Sequence, residues 1–292
     1  MAPDWAALER SLAAAGLEAP SAAPRRVGGG DIAAAYQLDT AGGRVFLKLM
    51  PESEAGVLEA EADGLAAIAA TGTVRTPAVL GQGIAGKQAW LTLEWLPLDR
   101  LGSDGSAELG RQLADMHRVT HDRHGWHSDN WIGRTPQRNT WQRDWVEFYR
   151  EHRLGFQLDL AAAGGFGGRL QRRGKELMVT LPAFFSDYQP APSLLHGDLW
   201  GGNAATSNSV PVIFDPASHY GDRECDLAMT RLFGGFGPAF YQVYEETWPL
   251  DAGYSRREPL YQLYHVLNHL NLFGSGYLGR AESLIDALLR DT

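Results

Sequence analysis

The loop at residues 196–203, which reads HGDLWGGN, carries side chains whose types and spacing suit phosphate chemistry. Asp198 and Asn203 lie five residues apart, and Asp215 follows twelve residues later, directly after the apolar run 210–214. Two carboxylates and one amide supply the oxygen ligands that a hard cation such as Mg²⁺ prefers. A polar turn between two core strands is the alternative interpretation, but the spacing and the apolar flanks favour a metal-binding site.

The same spacing occurs in the catalytic loop of protein kinases, His-x-Asp-Leu-x-x-x-Asn, in which the Asp acts as the base and the Asn binds a metal ion. Gly197 stands where protein kinases often carry Arg. Asp215, followed by Pro216 and Ala217, stands where those kinases place their second metal-binding Asp. The loop therefore predicts phosphoryl transfer.

The N-terminal part offers groups that could hold nucleotide phosphates. Lys48 lies at the end of a β-favouring run, and Glu61 follows thirteen residues later in a predicted helix. Gly28, Gly29 and Gly30 lie between two predicted strands, where glycines let backbone N–H groups approach phosphate oxygens. Separately these residues would be a solvated edge lysine, a surface helix charge and a flexible turn. In this order they predict a nucleotide clamp, with Glu61 holding Lys48 in place.

The predicted elements divide the chain into two lobes. Residues 1–97 read as a mostly antiparallel sheet with one inserted helix, and residues 98–292 as a mainly helical lobe, with a hinge near 96–104. The nucleotide clamp makes the first the predicted ATP-binding lobe, and the loop at 196–203 makes the second the predicted catalytic and substrate-binding lobe. The predicted fold class is α+β, a two-lobed protein-kinase-like fold. Predicted helices cover residues 5–15, 53–71, 107–118, 141–153, 171–185 and 259–289, and predicted strands lie within 27–49 and at 78–80, 89–95, 193–195 and 210–214.

The composition limits the partners that we expect. The chain has 292 residues, 44% of them hydrophobic, and a net charge of −9, so disorder and a generally basic surface for nucleic acid are both disfavoured. The single Cys225 cannot form an internal disulfide. No signal peptide and no apolar run of ~18 residues is apparent. We therefore expect a cytoplasmic protein without membrane or nucleic-acid partners. We expect it to be a monomer, with a dimer as the alternative.

Two patterns resemble other sites and are interpreted differently. Residues 81–88 fit Gly-x₄-Gly-Lys but end in Gln, where a P-loop needs Ser or Thr, and a predicted strand follows instead of a helix. A hairpin turn explains this segment better. His117, His121, His124 and His127 have the spacing of metal ligands, but no Cys or carboxylate completes a tetrahedral zinc set.

Longer strings of the sequence closely resemble the fructosamine kinase family, the ketosamine or ribulosamine 3-kinases, which belong to the aminoglycoside-phosphotransferase-like branch of the kinase fold. The resemblance covers nearly the whole chain. The Gly-Asp-Leu-Trp-Gly-Gly-Asn string separates this family from its antibiotic-modifying relatives. The strings that carry the resemblance are LHGDLWGGN at 195–203, IFDPA at 213–217, VFLK at 45–48, EAE at 59–61, DWVEFY at 144–149, YGD at 220–222, DLA at 226–228, LFGGF at 232–236, NH at 268–269 and FGSGY at 273–277.

The resemblance implies ATP-dependent phosphorylation of the O3 hydroxyl of a ketoamine, such as fructosamine, ribulosamine or erythrulosamine, free or on a protein lysine. Asp198 would then be the catalytic base, and Asn203 and Asp215 would hold Mg²⁺. Lys48 would bind the phosphates and Glu61 would position it.

The resemblance also assigns supporting roles. Main-chain groups of Glu94 and Leu96 would bind adenine at the hinge, and Asp226 would tie the catalytic loop to a helix. Many relatives carry a Cys just after the glycines of the nucleotide loop, whereas this chain has Asp31 there, so redox control through that loop is not expected.

The substrate pocket is predicted from aromatic and polar side chains. Trp200, Trp126 and Asp129 are candidates because flat indole faces beside polar groups suit a sugar. Asn268 and His269 are candidates for the same pocket. Packing of the indoles in the helical core is the alternative, except at Trp200, which lies beside Asp198 in the sequence.

Two other functions remain open on the sequence alone. The chain could be an aminoglycoside or other small-alcohol phosphotransferase of the same fold. It could also be a catalytically silent nucleotide-binding protein, although Lys48, Glu61, Asp198, Asn203 and Asp215 are all present.

Overall fold

A computed structural model describes residues 3–28 and 33–291 of the chain, so Gly29, Gly30 and Asp31 lie outside the described residues. The N-terminal part contains α1 (Trp5–Ala14), β1 (Arg25–Val27), β2 (Ala34–Thr40), β3 (Gly43–Pro51), α2 (Ala55–Ala70), β4 (Val79–Ala85) and β5 (Gln88–Glu94). The C-terminal part contains α3 (Ser103–His117), β6 (Asn130–Ile132), β7 (Thr135–Gln137), α4 (Trp145–Tyr149), a π-helical turn (Arg150–Gly155), α5 (Phe156–Ala163), α6 (Arg169–Thr180), β8 (Ser193–Leu195), β9 (Ala204–Ser207), β10 (Val210–Ile213), β11 (His219–Gly221), α7 (Glu224–Leu232), α8 (Pro238–Thr247), α9 (Tyr254–Phe273) and α10 (Leu278–Arg290), with short 3₁₀ turns at Glu52–Glu54, Leu181–Phe184 and Ser275–Tyr277.

The N-terminal sheet is antiparallel throughout, in the order β1-β2-β3-β5-β4. Side chains of β3 alternate between its two faces. Leu47 and Leu49 pack in the cluster that contains α1, whereas Phe46 and Met50 pack in the cluster that contains α2. Because a strand has a period of two, Lys48 lies on the α2 side. This alternation aims the ammonium toward Glu61.

Helix α2 packs against the C-terminal part as well as the sheet. A Cβ at Gly64 would lie 3.0 Å from both Pro216 Cγ and Ser218 Oγ. At the preceding residue, the indole Nε1 of Trp126 donates to Asp63 Oδ2 at 2.7 Å. The helix that carries Glu61 is therefore fixed against the segment that follows Asp215.

Helix α9 forms the centre of the larger, C-terminal core. Its fully buried residues Leu260, Leu263, Leu267 and Leu270 recur at helical spacing, and α7, α10 and α5 pack around it. Helices α3 and α8 approach closely at Gly110, where a Cβ would lie only 2.3 Å from Phe240 O. Leu199, in the loop between β8 and β9, packs in the cluster that contains α3 and α8.

The predicted α+β fold class is confirmed, and several element boundaries differ from the prediction. The segment 81–88 is the β4–β5 hairpin that the sequence indicated. The helix predicted at 141–153 was wrong in extent, because Asp144 caps a short α4 by accepting from Glu147 N at 2.9 Å and π-helical turns follow. The last helical region begins five residues before Pro259, at Tyr254.

The hairpin β6–β7, strands β9 and β11 and helix α8 were not predicted. Each strand in this group has only three or four residues, too few to show a periodic pattern. The division of the chain at residue 97 stays a prediction. Among the described helices, none combines the length and the apolar character that crossing a membrane requires.

Candidate active site

An ion cluster joins the sheet, α2 and the C-terminal part. Lys48 Nζ lies 2.7 Å and 2.9 Å from the two carboxylate oxygens of Glu61 and 2.5 Å from Asp215 Oδ1. The side chains of Lys48 and Glu61 are only 12% and 10% exposed, whereas that of Asp215 is 38% exposed. The cluster is thus shielded from solvent on the side of α2 and accessible to solvent at Asp215.

Lys48 and Asp215 stabilise each other's charge against burial, whereas burial raises the pKa of Glu61 to about 7. Burial alone would lower the pKa of Lys48, but the carboxylates of Asp215 and Glu61 raise it above its usual range. Burial would raise the pKa of Asp215, but the Lys48 ammonium holds it below its ordinary value. Lys48 and Asp215 are therefore both charged at neutral pH, and a phosphate or cation that enters can compete with this pair.

Asp226 holds the loop at 196–203 through its backbone. This carboxylate, at the start of α7, accepts 2.8 Å hydrogen bonds from the backbone N–H groups of His196 and Gly197, and His117 Nε2 lies 3.1 Å from it. Although burial opposes the shift, these partners lower the pKa of Asp226. The predicted tie between the loop and a helix is confirmed, and His117 is the partner that the sequence reading did not assign.

Gly197 occupies a position that no other residue type fits. Its φ is +83°, and a Cβ there would lie 2.2 Å from Ala217 O. The backbone of the catalytic loop therefore touches the backbone that follows Asp215. This contact explains why the chain has glycine where protein kinases often have arginine.

His196 is a neutral connector between the two aspartates. Its Nδ1 accepts from Asp198 N–H at 3.2 Å, and its Nε2 donates to Phe214 O at 3.0 Å. One ring nitrogen accepts and the other donates, which is the pattern of a neutral imidazole. Burial also lowers the pKa of His196. The ring thus fixes Asp198 relative to the residue before Asp215.

Asp198 is a half-buried carboxyl whose pKa is raised to about 7, first by burial and then by the carboxylates of Asp215 and Asp226. Asn203 donates through Nδ2 to Asp198 O at 2.9 Å. A carboxyl that titrates near neutral pH can accept a proton from a hydroxyl.

The oxygen groups at this site fit Mg²⁺ together with a nucleotide. Hydrogen bonding of Asn203 Nδ2 makes its Oδ1 the amide atom left for a metal, and Asp215 offers a partly exposed carboxylate. Within residues 3–28 and 33–291, no three His, Cys, Asp or Glu side chains cluster as a metal site. Mg²⁺ is commonly held by one or two protein carboxylates plus substrate phosphates, so this donor set is sufficient.

The predicted adenine-binding residues lie where β5 leaves the sheet. Glu94 N–H donates to Ala78 O at 2.8 Å, so this donor is already used within the fold. The Glu94 side chain is paired with Arg75 at 2.8 Å, and Leu96 is half-buried two residues past the strand end. Gly28 has open space around it.

Trp200 is the predicted substrate residue that the structure leaves at the surface of the loop. Its side chain is 39% exposed, and its ring covers Gly202, where a Cβ would lie 2.3 Å from Trp200 Cζ2. The glycine therefore makes room for the indole. Trp200 lies two residues after Asp198 in the same loop.

The other candidate substrate residues have structural partners. Trp126 is 6% exposed and bonded to Asp63, and Asp129 is exposed but accepts from Asn139 N at 2.8 Å. Asn268 is 3% exposed and lies 3.3 Å from Gln157 Nε2.

His269 is half-buried among three aromatic rings, those of Phe233, Phe273 and Tyr277. Trp200 is thus an exposed residue of the loop at 196–203, whereas Trp126 lies in the contact between α2 and the C-terminal part.

Comparison with known proteins agrees with this geometry. A family model described as "Fructosamine kinase" matches residues 5–291. A "Probable ketoamine kinase" of Synechocystis is 44% identical over 273 residues, covering 91% of this chain and 90% of its own. The chloroplastic protein-ribulosamine 3-kinase of Arabidopsis thaliana is 44% identical over 269 residues, covering 90% of this chain and 82% of its own.

Solved structures agree on the fold. A "Putative fructosamine-3-kinase" of Haemophilus somnus superposes with a TM-score of 0.88 at 30% identity, covering 98% of this chain and 97% of its own. An aminoglycoside phosphotransferase in a ternary complex with AMP-PNP and hygromycin B superposes with a TM-score of 0.62 at 16% identity, covering 92% and 94%. The second likeness concerns the fold alone.

The raised pKa of Asp198 predicts a stability cost at high pH. Because the folded protein binds this proton more tightly than the unfolded chain, ionisation of Asp198 above its folded pKa of about 7 opposes folding. Asp198→Asn cannot ionise, so its Tm without nucleotide should exceed that of the wild type at pH 8, and the gain should shrink toward pH 5. Thermal unfolding at both pH values measures this.

The matched control is Asp187→Asn, which replaces an exposed carboxylate and should give the same small change at both pH values. A wild type that is more stable than Asp198→Asn at pH 8 would contradict the account.

Proposed function

Because the chain belongs to the fructosamine kinase family, we propose that it is a kinase that transfers the γ-phosphoryl group of ATP to the O3 hydroxyl of a ketoamine. Fructosamine, ribulosamine and erythrulosamine, free or as glycated lysine, are the substrates that we expect. The observation that carries the proposal is the contact of Lys48 with both Glu61 and Asp215, next to the loop that holds Asp198. The reaction would initiate deglycation of proteins, and a cytoplasmic location stays a prediction.

On the nucleotide side, Lys48 holds the phosphates and Glu61 keeps its ammonium in position. Asn203 and Asp215 hold Mg²⁺, which supplies neutralisation of the phosphate charge when bound. Phosphoryl transfer depends mainly on positioning and on electrostatic stabilisation. The rigid connection of the two loops through His196 supplies that positioning.

On the acceptor side, Asp198 orients the O3 hydroxyl and accepts its proton. Its pKa of about 7 is close to physiological pH, where a general base combines a sufficient deprotonated fraction with a useful basicity. The nearby Mg²⁺ site is cationic when occupied and favours the deprotonated form. Attack by the oxygen on the γ-phosphorus then releases ADP.

Trp200 provides a binding face for the ketoamine. Its exposed indole suits the C–H face of a sugar and the cationic secondary amine of a ketoamine. A glycated lysine can reach this ring because it lies at the surface. The net charge of −9 also favours a cationic acceptor over an anionic one.

A panel of acceptors tests the proposed function. The purified protein with Mg²⁺ and ATP should release ADP with fructosyl-lysine, ribulosyl-lysine or erythrulosyl-lysine, and phosphate NMR of the product should place the new ester at O3. Aminoglycosides such as hygromycin B should not stimulate ADP release above background. ADP release measured in a coupled assay decides between these acceptors.

Asp198→Ala serves as the control in the same assay. It should lose about 10²–10⁴-fold in kcat while still binding ATP, because a general base contributes that much. Faster turnover with an aminoglycoside than with every ketoamine would identify the small-alcohol phosphotransferase instead. Tight ATP binding without turnover of any acceptor would identify a silent nucleotide-binding protein.

Replacement of Trp200 tests the acceptor site separately. Trp200→Ala should raise KM for the ketoamine about tenfold, as expected when one cation–π or stacking contact is lost, and leave KM for ATP unchanged. Trp200→Phe, which keeps an aromatic face, should give a smaller increase. Steady-state kinetics with each substrate varied in turn measures both.

Trp5→Ala, which removes an indole from α1, is the matched control and should leave both KM values unchanged. An unchanged ketoamine KM in Trp200→Ala would remove Trp200 from the binding site.

A further inference from the structure

Two buried amides of the hairpin β6–β7 contact the backbone that follows Asp215. Gln137 Nε2 donates to Ala217 O at 3.1 Å and to Asn130 Oδ1 at 2.9 Å. Asn130 Nδ2 donates to Ser218 O at 2.7 Å. Asn130 and Gln137 are 4% and 1% exposed. Two consecutive carbonyls of the metal-binding segment are therefore held by side chains of one hairpin.

The amide pair is itself held by three further buried side chains. Tyr264 OH donates to Gln137 Oε1 at 2.7 Å, and Asn139 Nδ2 donates to Asn130 Oδ1 at 2.8 Å. Arg153 Nη2 in turn donates to Asn139 Oδ1 at 2.8 Å. Each amide thus has a fixed orientation, since a flipped amide would place donors against donors.

The first donor in this chain of hydrogen bonds is the Arg153 guanidinium, which is charged. The Arg153 side chain is 1% exposed, and its guanidinium lies over the rings of Phe148 and Tyr264. Its hydrogen-bond partners are the carbonyls of Arg138 and His152 and the amide of Asn139. A cation at one end polarises a hydrogen-bond chain and strengthens it in a low-dielectric interior.

Asp215 needs such support because its backbone conformation is unfavourable. Its φ is +57°, in the left-handed region, and the next residue is Pro216, which restricts the residue before it. Conformations of this kind persist only where the surrounding structure over-determines them. The two carbonyls held by the hairpin lie two and three residues after Asp215.

Ala217, whose carbonyl accepts from Gln137, also contacts the catalytic loop. Ala217 N–H donates to His196 O at 2.8 Å, and Gly197 packs directly on Ala217 O. Gln137 therefore holds the carbonyl on which the catalytic loop rests. Only three residues separate Asp215 from β11, so no long segment is available to rearrange.

We propose that Asn130 and Gln137 are positioning residues for phosphoryl transfer, which keep Asp215 in its metal-binding conformation and in register with Asp198. The proposal rests on the proposed kinase function, in which Asp215 is a metal ligand. A role in packing alone would be met by apolar side chains of similar volume. Here the two amides donate to buried carbonyls that would otherwise lack donors. Loss of a donor leaves a buried carbonyl unsatisfied, which favours displacement of the segment after Asp215 toward solvent.

The test measures binding of Mn²⁺, as a paramagnetic substitute for Mg²⁺, to the full-length protein with AMP-PNP by electron paramagnetic resonance. Gln137→Leu should weaken Mn²⁺ affinity about tenfold, because it removes three buried hydrogen bonds, and should lower kcat while KM for the ketoamine stays within about twofold. Tyr264→Phe leaves Gln137 without its orienting donor and should weaken Mn²⁺ affinity by a smaller factor, about threefold.

Tyr149→Phe is the matched control. It also removes one buried tyrosine hydrogen bond of the C-terminal core, from Tyr149 OH to Leu260 O at 3.0 Å, but it does not touch the hairpin. Mn²⁺ affinity in Tyr149→Phe should equal that of the wild type, although thermal stability should fall about as much as in Tyr264→Phe.

Folded Gln137→Leu with wild-type Mn²⁺ affinity would overturn the proposal, and so would equal losses of affinity in Tyr264→Phe and Tyr149→Phe. If Gln137→Leu does not fold, the comparison of the two tyrosine variants decides. Failure of the proposed function is recognised separately: the wild type would then turn over no ketoamine, while Mn²⁺ binding would still report on the hairpin.

Discussion

The ammonium of Lys48, shared between Glu61 and Asp215, is the interaction on which the arrangement of the site depends. It brings together a strand, a helix and a loop that lie far apart in the chain. Charges buried to this degree are tolerated only when they are paired, so the three side chains hold their elements in place. Period-two alternation in β3 presents Lys48 to α2, and close packing at Gly64 presents α2 to the segment after Asp215.

A second layer fixes the catalytic loop with little freedom. Asp226 holds two of its N–H groups, neutral His196 connects it to Phe214, and Gly197 allows it to touch Ala217. This order has a cost, because burial and then the carboxylates of Asp215 and Asp226 raise the pKa of Asp198. A destabilised carboxyl in a candidate active site is consistent with the usual opposition of stability and activity.

The sequence was sufficient where short patterns carry the information. The spacing of Asp198, Asn203 and Asp215, the strand before Lys48 and the helix around Glu61 were all read from local residue types. Long-range partners were not. Nothing local shows that Trp126 bonds Asp63, or that Asn130 and Gln137 reach across to Ser218 and Ala217. Such contacts depend on how the hairpin and α2 pack, and the three-residue strands of that hairpin are too short to be recognised.

We propose that Asp215, held by Lys48, is a metal ligand for a bound nucleotide. Calorimetric titration of AMP-PNP with and without Mg²⁺ into the wild type and Asp215→Asn tests it most directly. We predict that Mg²⁺ tightens binding to the wild type about tenfold or more, as expected for a charge-assisted contact, and has little effect on Asp215→Asn. An equal effect of Mg²⁺ on both proteins would contradict the account.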